Sequence, residues 1–298
     1  MLFLLLSLIV FLYLIYFFRN TIIQNIYKLP KIRKSWQLPD MDASSVQLRH
    51  NYKPVVVCCG DSITHGHIGY NWVGKLRDND TSKIYINAGI NADLTWNLNQ
   101  RIGDVIKHNP DYITILIGTN DAIGSQPVKL IQDYYIQTKN LPRTPSIEWF
   151  EEQIENFVKQ LKEKTSAKIA LITLPWLGEQ EDASIIDVVK SHNKIIKRIA
   201  LKYDTSILDF FSEFKEEINN NNDQTKNIIS NYKHSIPYTT SELRRLRGLR
   251  AVILYYVFGW SWNKIGEKYN LKLLCDHIHL NERGGHLMEK LVKKFLSK

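Results

Sequence analysis

An apolar run that stops abruptly in a small polar cluster constrains this chain more than any other feature. Val55-Val56-Val57-Cys58-Cys59 is followed at once by Gly60-Asp61-Ser62-Ile63-Thr64. A continuous, largely β-branched run reads as a strand buried on both faces, the pattern of a parallel sheet. A hydroxyl at the carboxyl end of such a strand lies where open α/β sheets place their chemistry. Gly60 lets the backbone turn sharply and lets another group come close. On this segment alone, Asp61 and Ser62 read first as a helix cap.

Beyond this strand the pattern alternates. Trp72 to Arg77 reads as a short helix, and Lys83 to Asn87 as a second strand running into Ala88-Gly89. Asp93 is placed to cap a helix reaching Lys107, with Leu94, Leu98, Ile102, Val105 and Ile106 on one face. Tyr112 to Ile117 is a third strand, ended by Gly118-Thr119-Asn120-Asp121, and a loop carrying Pro127, Pro142 and Pro145 follows. Ser146 caps an amphipathic helix to about Lys164, whose core face is Ile154, Phe157, Val158 and Leu161. Lys168 to Leu174 is a fourth strand, Ile185 to Tyr203 a helix, Ser206 to Asp209 a short fifth strand, and Arg283 to Leu296 a closing helix. Such alternation predicts a mostly parallel sheet covered by helices on both faces. No internal repeat is present.

Two regions stand outside the alternation. Met1 to Phe18 holds no charged residue and is polar only at Ser7. As a helix it nearly crosses a hydrocarbon core of about 30 Å. Without a basic n-region or a small-residue cleavage site it reads as an uncleaved anchor (residues 1–19) rather than a removed signal peptide. Residues 20–52 form a basic linker broken at Leu29-Pro30 and Leu38-Pro39. Its charges favour a cytoplasmic domain, whereas the sequon Asn79-Asp80-Thr81 points the other way. The soluble domain spans 53–298. Within it, residues 213–274 exceed what a connection needs and read as a helical insertion or lid. Arg244, Arg245, Arg247 and Arg250 lead there into an aromatic run with Tyr255, Tyr256, Trp260 and Trp262. That pattern suits a helix lying in a membrane interface, a lid over a site, or a buried helix pair.

Charge narrows the partners. With 39 Lys and Arg against 30 Asp and Glu, the chain carries a formal +9. It has no zinc-finger spacing, basic repeat or aromatic RNA-binding signature, which argues against nucleic acid. Three cysteines, Cys58, Cys59 and Cys275, form no disulfide pattern and read as small buried hydrophobes. His65 and His67 read as lining or surface residues, since a metal pair lacks a third ligand nearby.

The first three strands end in polar clusters, Gly60-Asp61-Ser62, Asn87-Ala88-Gly89 and Gly118-Thr119-Asn120-Asp121, all on one edge of a parallel sheet. Near the C-terminus stands Cys275-Asp276-His277-Ile278-His279. One helical turn puts Asp276 and His279 on the same side. A carboxylate so placed holds the imidazole tautomer while the other ring nitrogen faces a serine. Gly89 N–H, the Asn120 amide and Ser62 N–H are candidate donors to a developing oxyanion.

In Gly60-Asp61-Ser62-Ile63, Asn87-x-Gly89, Gly118-x-Asn120-Asp121 and Asp276-x-x-His279, taken in order, the chain resembles the SGNH (GDSL-type) hydrolases, a family of serine esterases and lipases. The resemblance covers roughly residues 53–298. It implies a three-layer α/β/α sandwich around a five-stranded parallel sheet of flavodoxin-like order, and no metal or cofactor. It makes Ser62 the nucleophile, His279 the base and Asp276 its orienter, with Ser62, Gly89 and Asn120 as the oxyanion hole. His277 stands where relatives often have glycine. The resulting expectation is a membrane-anchored esterase acting on a lipid-like acyl ester. Carbohydrate deacetylation, a catalytically silent binding protein and a membrane-surface scaffold are the alternatives.

Overall fold

The computed structural model describes residues 53–179, 184–220 and 241–297. The predicted anchor, the linker and residues 221–240 lie outside them. Five strands, β1 (Val55–Gly60), β2 (Ile84–Gly89), β3 (Tyr112–Leu116), β4 (Lys168–Ile172) and β5 (Ser206–Leu208), pair in parallel in the order β2-β1-β3-β4-β5. β1 is flanked on both sides and every one of its residues is buried, which is why its sequence does not alternate. The chain steps from β1 to β2 in one direction and then crosses back to β3. The carboxyl ends of β1 and β3 therefore flank the switch point where open α/β sheets bind ligands.

Helices cover both faces. One layer holds α2 (Trp72–Asn79), α9 (Phe210–Asn220) and α12 (Glu282–Leu296). The other holds α3 (Thr95–Gln100), α4 (Ile102–Lys107), α7 (Ile147–Lys164) and α8 (Ser184–Lys202). Ser146 Oγ caps α7 by accepting the Trp149 N–H at 3.2 Å, and the predicted face Ile154, Phe157, Val158 and Leu161 is buried. Burying each such side chain contributes about 1.5–3 kcal/mol. All three cysteines are buried free thiols, and burial pushes Cys58 and Cys59 up to about 12.

Two segments differ from their sequence-based expectation. The helix expected over Asp93 to Lys107 breaks at Arg101 into α3 and α4. Asp93 does not cap it, because its carboxylate is taken by Arg101 Nε at 3.0 Å and Lys139 Nζ at 2.6 Å. The proline-bearing loop contains a helix, α6 (Lys129–Lys139), which buries Ile131 and Tyr135 at i and i+4 and has no proline between 127 and 142. The insertion folds as α10 (Ser241–Tyr256) and α11 (Trp262–Glu267) with a small core of its own, Ala251, Trp262, Ile265 and Cys275. Among the described residues no helix is long and apolar enough to cross a membrane.

Candidate active site

Close backbone packing puts Ser62 where it stands. A Cβ at Gly60 would lie 2.5 Å from the Leu116 carbonyl oxygen, so only glycine fits. The chain then enters the single turn α1 (Ser62–His65), capped by Asp61, whose carboxylate accepts the Ile63 N–H at 2.9 Å. Asn87, at the end of β2, holds this turn by donating to the Thr64 and His65 carbonyls at 2.9 and 3.2 Å. Arg101 ties the two strand ends together through the Ala88 and Gly60 carbonyls, at 2.8 and 3.2 Å.

The C-terminal cluster meets Ser62 from the other side. Ser62 Oγ lies 2.9 Å from His279 Nε2, and His279 Nδ1 lies 2.7 Å from Asp276 Oδ2. Asp276 Oδ1 also accepts the Ile278 and His279 N–H groups, at 3.1 and 2.9 Å. Burial pushes the Asp276 carboxyl up, but the neighbouring His279 and these donors outweigh it and hold it below its ordinary value. Burial pulls His279 down, yet the Asp276 charge and hydrogen bond, with Asp61 adding to them, leave it raised. An ionised carboxylate accepts only, so Nδ1 donates and Nε2 of the neutral ring is the acceptor facing the serine hydroxyl.

Residues 58–227, more than half of the chain, match the family model for the GDSL-like lipase/acylhydrolase family. The chain belongs to this family. It is accordingly a carboxylic ester hydrolase. The matched residues include Ser62, Gly89 and Asn120, while Asp276 and His279 lie beyond them. The fold is similar to that of an acetylxylan esterase from Geobacillus stearothermophilus, at 16% identity and a TM-score of 0.52, over 81% of this chain and 93% of that one. It is similar also to the acetyl xylan esterase AlAXEase, at 19% identity and a TM-score of 0.52, over 81% and 98%. No curated protein matches the chain in sequence.

In this GDSL-like acylhydrolase, Asp276 and His279 converge without the helical turn expected of them. His277 takes a left-handed φ of 79°, the Cys275 N–H donates to the His279 carbonyl at 2.8 Å, and Leu274 bridges Leu280. The i, i+3 spacing works through a tight loop. His277 turns away onto Tyr269, with ring centroids 5.8 Å apart, and burial lowers it to about 4.

The three expected oxyanion donors are not alike. Ser62 opens α1, where a helix leaves its first N–H groups unpaired. Asn120, near the start of α5 (Thr119–Gly124), donates one amide hydrogen to the Asp93 carbonyl at 3.0 Å, and the amide has a second to offer. The Gly89 N–H is already committed to Asn87 Oδ1 at 3.0 Å. Gly89 is glycine for another reason, since a Cβ there would lie 2.3 Å from the His65 nitrogen.

Other residues at the site escaped the sequence reading. Tyr135 Oη donates to Asn120 Oδ1 at 2.7 Å, and Ala92, at φ 60°, sits in the turn from Ile90 to Asp93 beside it. Asn91 bonds His65 Nδ1 at 2.9 Å and His67 Nδ1 at 3.3 Å, which places the two imidazoles around one amide. Among the described residues no group of three or more His, Cys, Asp or Glu is arranged to hold a metal. The insertion packs beside the catalytic loop. A Cβ at Gly248 of α10 would lie 3.9 Å from Asp276 Oδ2 and 3.6 Å from Ile68 Cδ1. Tyr256 Oη donates to the His67 carbonyl at 2.9 Å.

Proposed function

We propose that this acylhydrolase cleaves an acyl ester through an acyl-enzyme on Ser62, with His279 as base and Asp276 as its orienter. The observation that carries this reading is the unbroken relay Ser62 Oγ, His279 and Asp276, at 2.9 and 2.7 Å. His279 Nε2 takes the hydroxyl proton as Oγ attacks the ester carbonyl, and Asp276 stabilises the imidazolium that results. The oxyanion is met by the Ser62 N–H and the Asn120 amide. Gly89 joins them only if its N–H leaves Asn87. His279 then passes the proton to the departing alcohol oxygen. Water repeats the sequence on the acyl-enzyme and frees the acid and Ser62.

The favoured substrate is lipid-like and the favoured location is a membrane, with residues 1–19 as a single-pass anchor. Supporting this reading, three of the exposed large hydrophobic side chains cluster on α10 and the turn after it, Leu249 at 57%, Val257 at 47% and Phe258 at 66%. Lys264 and Lys268 reach over the neighbouring Trp260 ring at 4.3 and 5.4 Å, and Arg250 is exposed nearby. An apolar tip ringed by cations complements an anionic bilayer. The second reading, deacetylation of a carbohydrate, is favoured by the fold similarity to acetylxylan esterases.

Two measurements decide. A fluorophosphonate probe is expected to label the chain and to lose its target in Ser62→Ala; labelling that persists overturns the nucleophile. Hydrolysis of an ester series of rising acyl length is expected to hold or rise beyond acetyl. A steep fall after acetyl selects the carbohydrate reading.

A further inference from the structure

The loop after β4 supplies acceptors to the catalytic loop. Glu179, held at φ 58°, accepts three consecutive backbone N–H groups. Its Oε2 accepts from Lys272 at 2.6 Å, and its Oε1 from Leu273 at 2.8 Å and Leu274 at 2.6 Å. One residue earlier, the Gly178 N–H donates to the His277 carbonyl at 3.0 Å. These contacts bracket Asp276, ending two residues before it and resuming one residue after it. Asn281 closes the other side, donating Nδ2 to the Lys272 carbonyl at 2.8 Å and its own N–H to the Leu273 carbonyl at 2.9 Å.

Residues 272–274 lie outside the five-stranded sheet. Their backbone donors would otherwise depend on water or on chance partners. Successive N–H groups turned one way form a concave anion site, and here a side chain of the same protein occupies it. Bonds from N–H to a carboxylate are stronger than those to a neutral carbonyl. Burial pushes the Glu179 carboxyl up to about 7, and the three N–H donors oppose that rise, so the chain is gripped at the point where it enters Cys275-Asp276. Glu179 has no hydrogen bond to Ser62, Asp276 or His279, so it takes no part in proton transfer itself.

We propose that Glu179 is a positioning residue for the reaction: by gripping residues 272–274 it sets where Asp276 stands, and through Asp276 the tautomer and aim of His279. This rests on the assignment of Ser62, His279 and Asp276 as the triad. Small displacements of a catalytic group matter, since about 1 Å is enough for losses on the order of 10²-fold. Glu179→Gln keeps the shape but turns one acceptor into a donor that faces an N–H.

The test compares Glu179→Gln, Glu179→Ala and His279→Ala in the full chain. It reads kcat and KM on a soluble chromogenic ester, the folded fraction by circular dichroism, and the downfield proton resonance of the His279 Nδ1–H. Glu179→Gln is expected to lower kcat by ~10–100-fold with KM within about threefold, and to shift or broaden that resonance while the chain stays folded. Glu179→Ala is expected to do the same more strongly. If it fails to fold, Glu179→Gln alone decides. Wild-type kcat in Glu179→Gln overturns the proposal. So does a loss matched by the folded fraction with the resonance unmoved, and so does a Glu179→Gln chain that is unfolded at the assay temperature. A His279→Ala chain as active as wild type would instead sink the triad assignment.

Discussion

Tyr135 Oη donates to Asn120 Oδ1 across 2.7 Å, and this bond sets which end of the Asn120 amide is free to act. With the oxygen occupied by Tyr135 and one hydrogen given to the Asp93 carbonyl at 3.0 Å, the amide is held at both ends. A donor fixed before the reaction needs no reorganisation as charge develops. Removing it in Asn120→Ala is expected to lower kcat by roughly 10²–10³-fold. Tyr135→Phe keeps the Asp93 tether and is expected to lower kcat less. Steady-state kinetics on one soluble ester check both; equal losses would mean that the tyrosine acts more directly.

The two histidines of the C-terminal loop are expected to separate by mutation. His279→Ala should cost about as much activity as Ser62→Ala, because groups that act as a unit fail as a unit. His277 packs on Tyr269 and faces away from the serine, so His277→Ala should leave most of the activity. Rates measured side by side decide, and the reverse ranking would misplace the base.

The pH profile follows from the charge beside His279. The ring must be neutral at Nε2 to take the serine proton, so protonation abolishes activity on the acid side. Asp276 outweighs burial and raises the imidazole above its ordinary 6.5. The rise of kcat/KM with pH is therefore expected to centre above that value. Asp276→Asn removes the charge that favours the imidazolium. Its much weaker residual activity should rise at lower pH than in wild type. A limb that stays in place would show that Asp276 does not set the imidazole.

Glycines at the site are expected to differ sharply. Alanine at Gly89 would put a methyl 2.3 Å from the His65 nitrogen, and the backbone there has nowhere to go. Overpacking of this kind destabilises by about 1–3 kcal/mol. At Gly248 the same methyl meets its nearest neighbours at 3.6 and 3.9 Å, an ordinary contact, inside a helix. Replacing a mid-helix glycine by alanine stabilises by roughly 0.5–1 kcal/mol. Thermal melts of the two variants should move in opposite directions.

The insertion carries large apolar residues of two kinds, and vesicle binding should tell them apart. Trp262 is buried and stacks on Tyr255 with ring centroids 4.0 Å apart, so Trp262→Ser is expected to lower stability. Val257 and Phe258 are exposed. Replacing both by Ser in a chain lacking residues 1–19 should weaken co-sedimentation with anionic vesicles and spare soluble esters. Unchanged co-sedimentation would remove the insertion from any membrane contact.

What the sequence by itself determined rests on short-range patterns. The Val55 to Cys59 run read as a buried strand, Ser146 with Ile154, Phe157, Val158 and Leu161 as a capped helix facing a core, and Ser62, Asn120, Asp276 and His279 stood in a recognisable order. Such signals survive in one dimension because strand burial, helical period and capping are decided within a few residues. The tertiary structure decided the rest. Arg101 draws Asp93 out of its expected cap and divides α3 from α4. Asn87 takes the Gly89 N–H that the spacing offered to an oxyanion. Tyr135 comes from a stretch whose prolines read as loop. Glu179 binds backbone more than ninety residues further along the chain. The Asn87 bond spans only two residues, its amide turned by the Thr64 and His65 carbonyls; the others are hydrogen bonds or ion pairs whose partners are chosen by how the layers pack. A polar side chain carries no mark in sequence of which buried group it will satisfy.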